Sequence, residues 1–174
     1  MNRRVFFGSL GLFLAAAAAA PAQQAVILVR HAEKEIDPAK IAGLADKDIP
    51  LRKAGETRAK ALAEHLKGSA IDAVYVSFAK RTQQTAAPLL EALHQDQHVL
   101  GSNSIQQLGV QHKDQVVLIV AHSAGALGVP QFIDQITGKA NGMTIGENEY
   151  DSIFILVPKK DGTWSVIRAR YGAR

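Results

Sequence analysis

The 174-residue chain contains no cysteine. That absence excludes a disulfide framework, a zinc–thiolate centre and a thiol nucleophile. Nor is there a histidine after His122, the six being His31, His65, His94, His98, His112 and His122. The hydrolase fold built on a G-x-S-x-G elbow carries its catalytic histidine after that serine in chain order, so the elbow-like Ala121-His122-Ser123-Ala124-Gly125 stretch does not belong to one. Basic runs are scarce too. The formal charge of +4 falls to 4 − 2 = +2 without Arg3 and Arg4, and beyond them basic residues adjoin only at Arg52-Lys53, Lys80-Arg81 and Lys159-Lys160. No aromatics interleave with these pairs, and nucleic acid is not an expected partner. With no internal repeat and no linker-like stretch, residues 23–174 read as one domain large enough for a sizeable core.

Residues 1–22 hold no acidic residue and read as a targeting segment. Asn2-Arg3-Arg4 forms a basic start, residues 5–20 are apolar or small, and Ala20-Pro21-Ala22 offers a cleavage site before Gln23. An uncleaved anchor is the competing reading, but the apolar stretch is short for a bilayer span. The expectation is a signal peptide over 1–22 and a periplasmic or secreted mature domain. That domain would have no stable membrane association after cleavage.

What the chain does have is three strand-like runs that end in cationic or potentially cationic residues. Residues 26–29 are a β-branched and apolar run that delivers Arg30 and His31, and residues 116–121 deliver His122. Between them, residues 71–77 precede Lys80-Arg81-Thr82-Gln83-Gln84-Thr85-Ala86. In open α/β sheets ligands bind at the carboxyl ends of the strands, and guanidinium groups beside imidazoles there suit an anion. With its Arg-His pair after the first strand, its Arg-x-x-Gln-Thr-Ala helix start and its late histidine, the chain resembles the histidine phosphatase (phosphoglycerate mutase-like) superfamily. The resemblance runs in order from about Val26 to the C-terminus, and Leu51 to Arg58 also matches a family helix start.

The resemblance implies an α/β fold: a three-layer α/β/α sandwich with a mostly parallel central sheet and a C-terminal antiparallel hairpin. It implies His31 as nucleophile, forming a phosphohistidine, with Arg30, Arg81 and His122 completing the phosphate pocket. No metal or other cofactor is called for. The substrate would be a phosphorylated small molecule or a phosphoprotein, and the oligomeric state is left open. The chemistry agrees with this: two guanidiniums can neutralise a phosphate dianion bidentately, which lysine cannot, and an imidazole is the best nucleophile in a cysteine-free site. A non-catalytic phospholigand-binding module on the same fold is the alternative.

The proton donor for the leaving group stays unassigned. Many family members take a glutamate from between the second arginine and the second histidine, where this chain has Glu91, Asp96 and Asp114. Glu91 sits among Leu89, Leu90 and Leu93 and should face solvent, Asp96 should lie in a polar loop, and Asp114 should lie at the opposite, amino edge. The acid used by the phytase-like branch is replaced here by Ser123-Ala124. Glu33 and the cluster Glu147, Glu149 and Asp151 remain, with Glu33 and Asp151 as the named candidates; the competing reading of each is a solvated carboxylate or a partner of Arg30.

Periodicity and breaker residues supply the rest. A loop is expected over 35–50. A helix after Leu51 should bury Ala59, Leu62, Ala63 and Leu66, and one near Arg81 should bury Ala86, Leu89, Leu90 and Leu93, with Pro88 in an early or irregular position. Ile105 and Leu108 suggest a short helix. A further helix is expected over 129–136, a loop over 138–146, and a hairpin of residues 152–157 and 163–170 about Lys160-Asp161-Gly162. His94 and His98 should bracket a polar loop and bind no metal.

Overall fold

The computed structural model describes residues 25–101, 108, 112 and 114–172. The targeting segment and Ile105 lie outside the described residues. Strand β1 (Ala25–Arg30) leads through a short helix α1 (Pro38–Ile41) and a 3-10 turn (Asp46–Asp48) into helix α2 (Lys53–Leu66). Strand β2 (Ala73–Val76), helix α3 (Lys80–Leu93), strand β3 (Gln97–Val99) and strand β4 (Val116–Ala121) follow. Helix α4 (Val129–Thr137) precedes strands β5 (Ser152–Pro158) and β6 (Trp164–Arg170).

The six strands form one sheet in the order β3-β2-β4-β1-β5-β6. The β1–β4, β2–β4 and β2–β3 pairs are parallel, whereas β1–β5 and β5–β6 are antiparallel. Successive side chains of a strand face opposite ways, and here both faces are covered. Ile27, Val29, Val74, Val76, Leu118 and Val120 pack against Leu62 and Leu66 of α2 and Ala86 and Leu89 of α3. Val26, Leu28, Tyr75, Val117 and Ile119 pack against Leu108 and against Phe132 and Ile133 of α4. The result is the expected α/β/α sandwich closed by an antiparallel hairpin.

Three local departures have physical causes. The expected loop over 35–50 contains α1, because Asp37 accepts a hydrogen bond from Ala39 N–H and Pro38 occupies the first helical turn, where a missing donor does no harm. Pro88 lies inside α3, neither early nor irregular, so the helix forgoes one backbone bond there and the packing of Ala86, Leu89 and Leu90 holds it. His98 falls in the edge strand β3, not at the end of a loop. Gln97-His98-Val99 is mostly polar because only one side of an edge strand is paired.

The topology gathers the carboxyl ends of β1, β2 and β4 on one edge, together with the start of β5 and the end of β6. The segment past His31 is pinned there by α2. A Cβ on Gly55 would lie 2.2 Å from the Glu33 carbonyl oxygen, which also accepts from Arg52 N–H at 3.0 Å. Only glycine allows that approach.

Candidate active site

His31 continues β1, its N–H donating to Ala121 O at 2.8 Å, and His122 continues β4 beside it. The two imidazoles meet edge to face with centroids 5.3 Å apart. Arg81, on the first turn of α3, donates from Nε to His31 Nε2 at 3.2 Å. Arg30 donates from Nη1 to the carbonyls of Gly146 (3.1 Å), Glu147 (2.7 Å) and Glu149 (3.1 Å). Its guanidinium lies 3.9 Å from the centre of the Tyr150 ring, which in turn stands 6.3 Å from the His31 ring. The structure thus brings together the four residues singled out from the sequence, and it adds Tyr150, Asp46 and Ser77.

The family profile described as the histidine phosphatase superfamily (branch 1) matches residues 26–102, a span that holds Arg30, His31 and Arg81. Over those residues the chain matches the histidine phosphatase superfamily. Phosphoserine phosphatase 1 of Hydrogenobacter thermophilus is 44% identical over 68 residues, a match that covers 38% of this chain and 31% of that protein. The match therefore spans less than a third of the relative's length. A mycobacterial glucosyl-3-phosphoglycerate phosphatase shares the fold at a TM-score of 0.64 and 15% identity, covering 87% of this chain and all of that one. A phosphoserine phosphatase of Entamoeba histolytica, solved in complex with phosphoserine, shares it at 0.62 and 14%, covering 86% and 97% of the two chains.

The ring nitrogens of His31 are distinguishable. Nδ1 lies 2.7 Å from Ala32 O, and a carbonyl only accepts, so Nδ1 carries the proton. Nε2 is left with its lone pair, consistent with Arg81 Nε–H donating to it. Burial pushes the His31 pKa down to about 3, and the nearby Arg81, His122 and Arg30 add to this against the raising effect of the Ala32 contact. His122 is pushed down to about 4, again mainly by burial and then by Arg81. Its Nε2 lies 3.0 Å from Ser77 Oγ, a hydroxyl itself held by Thr82 and by Ala79 N–H.

These shifts tie stability to pH. Both imidazoles have folded-state pKa values below their ordinary 6.5, so the unfolded chain binds protons first as pH falls. Stability contributed by the neutral rings is complete above 6.5 and is lost progressively toward about 3. The loss from His31 should reach about 2 kcal/mol at pH 5. Thermal melts of wild type and His31→Asn at pH 7.5 and pH 5 should show a smaller acid-induced drop in the variant, and equal drops would contradict a buried neutral ring.

The carboxylates are committed to arginines. Glu33 is buried, not solvated, and Arg58 grips it through Nε and Nη2 at 2.8–3.0 Å; Arg30 is not its partner. Asp151 is paired with Arg170 at 2.6 Å, which holds its pKa below the usual range. Burial would raise Glu149, but hydrogen bonds from Ser152, Arg168 and Gly146 N–H outweigh it and bring the pKa down to about 2. Glu91 is exposed on α3, as its neighbours suggested. The carboxylate that touches the site is Asp46. Its backbone and side-chain oxygens accept from Arg81 Nη1 and Nη2 at 2.6 and 2.9 Å. No spacing rule marks it, because it comes from an irregular turn 35 residues before Arg81.

Two cavities flank the cluster on the same edge. One, of about 540 Å³, is lined by Arg58, Asn148, Glu149, Tyr150, Asp151 and Arg170 among others. The other, of about 420 Å³, lies past His122 between Ser123, Ala124 and Pro130 on one wall and Met143, Thr144 and Ile145 on the other. Neither is lined by His31 or Arg81. Away from this edge, His98 stacks on Tyr75 at 4.9 Å, and Tyr75 Oη lies 2.7 Å from His112 Nε2. No group of potential ligands able to hold a metal ion occurs among the described residues.

Proposed function

We propose that this protein is a phosphatase that hydrolyses phosphomonoesters, or phosphoramidates, through a phosphohistidine on His31. The observation that carries this reading is the tautomer of His31: a neutral imidazole with its Nε2 lone pair beside a buried guanidinium. Arg30 adds a second sign. Its Nε is buried without a hydrogen-bond partner, and such a group in a folded protein needs an explanation. A phosphoryl oxygen supplies one.

The steps follow from these groups. Arg30 and Arg81 neutralise the phosphoryl oxygens, and developing equatorial charge in the transition state strengthens both contacts. Nε2 of His31 forms the N–P bond as the P–O bond to the leaving group breaks. Ser77 engages Nε2 of His122, which leaves Nδ1 of that ring to face the transferring group. Water then breaks the N–P bond, releasing inorganic phosphate and the neutral imidazole. The stretch 44% identical to a phosphoserine phosphatase supports the ester as the first substrate to test.

Rapid quench with a substrate labelled in its phosphoryl group tests this. An acid-labile, base-stable label mapping to His31 is the expected result, and turnover without such a label would overturn the intermediate. The second reading, a phospholigand-binding module without turnover, draws on the arginine pairing of Glu33 and Asp151 and predicts phosphate binding with no label at all.

The composition of residues 1–22 supports export to the periplasm or outside the cell. Intact mass of the exported protein should show Gln23 or a close neighbour as its first residue, and a membrane-bound, full-length product would refute this.

A further inference from the structure

We propose that Asp46 is a tethered competitor for the oxyanion at Arg81, so that substrate binding requires the turn carrying Asp46 to move aside. This rests on the reading that Arg81 receives the phosphoryl group. Each of the three guanidinium nitrogens of Arg81 already donates: Nε to His31, Nη1 to the Asp46 carbonyl and Nη2 to the Asp46 carboxylate. The carboxylate and the nucleophile's Nε2 are thus acceptors on one buried guanidinium, where two phosphoryl oxygens would bind. Each terminal nitrogen keeps one more N–H, but a dianion using those would lie against a carboxylate. Like charges in one site disfavour each other strongly.

Asp46 is ionised when it does this. Hydrogen bonds from Lys34 and then Arg81 hold its pKa below the usual range, and Lys34 Nζ lies 3.1 Å from its other oxygen. The turn is built to move. Residues 42–48 are all exposed, with left-handed Gly43 near one end and buried Ile49 at the other. Its displacement exposes no core side chain, so the contacts of Asp46 are the main thing lost. When a protein binds ligand only in a fraction of its conformations, apparent affinity drops by that fraction. Removing the competitor therefore tightens every oxyanion by the same factor.

Calorimetric titration of the protein with inorganic phosphate, at fixed ionic strength and neutral pH, tests this in wild type, Asp46→Asn and Asp48→Asn. Asp46→Asn should tighten phosphate about tenfold, whereas Asp48→Asn, which removes the same charge two residues away, should change it less than twofold. Hydrogen exchange over residues 42–48 should quicken when phosphate is added to wild type. Weaker binding in Asp46→Asn would make Asp46 a positioning residue for Arg81, and equal gains in both variants would reduce the effect to net charge. Either result overturns the proposal while leaving the phosphatase reading intact. If neither wild type nor Asp46→Asn binds phosphate, both fall.

Discussion

Replacing His31 with alanine should lower turnover of an activated aryl phosphate by roughly 10⁴- to 10⁶-fold, the scale of loss when a covalent nucleophile is removed. The size follows from what else the site contains. There is no cysteine anywhere in the chain, and Ser77 is held within bonds to Thr82, Ala79 and His122. His122 is also neutral, but the nucleophile must present a lone pair toward the arginines, and Nε2 of His122 is taken up by Ser77. The alanine variant keeps Arg30 and Arg81, so it should still bind inorganic phosphate within about an order of magnitude of wild type, since the charge-assisted contacts are theirs. A steady-state assay and a binding titration on the same sample check both halves. Residual turnover near the wild-type level would mean that the nucleophile lies elsewhere, and simultaneous loss of binding would mean that the pocket itself collapsed.

That Arg30, His31, Arg81 and His122 lie together was legible in the sequence because each is tied to a regular element and to a motif of the family that the chain resembles. Arg30, His31 and His122 end or directly follow continuous apolar runs that read as doubly covered strands, and Arg81 opens an amphipathic helix. Elements of that kind all point their ends at one edge, so convergence could be read from order alone. The hairpin of β5 and β6 was equally plain from its turn residues. The carboxylates were not legible, for a different reason. Glu33, Asp46, Glu149 and Asp151 look alike in sequence, and what separates them is the arginine each one meets: Arg58 is 25 residues from Glu33, and Arg81 is 35 from Asp46. Side-chain pairing over such distances is decided by the packing of loops on the sheet, which carries no period. The polar edge strand β3 and the proline within α3 escaped for a related reason, since tertiary packing overrode local propensity in both.

The pairing of those carboxylates leads to the other large expected effect. If no acid protonates the departing oxygen, rates across a series of aryl phosphates should rise steeply as the leaving-group pKa falls. The poorest leaving groups should lag by about 10²–10⁴-fold, the usual contribution of a positioned acid. The structure gives the reason for expecting this. Arg58 occupies Glu33 through two nitrogens, and Asp151, with its pKa held low by Arg170, keeps no proton to donate near neutrality. Asp46 also sits against cations that keep it ionised. Glu33→Gln and Asp151→Asn should therefore leave the slope where it stands in wild type, whatever they do to the absolute rates. Comparing slopes, and not single rates, separates a proton-transfer role from a structural one, because loss of an arginine pair lowers all substrates together. A shallow wild-type slope that steepens in one of the two variants would show that its carboxyl group reaches the leaving oxygen in the substrate complex, and that the arginine releases it when substrate binds.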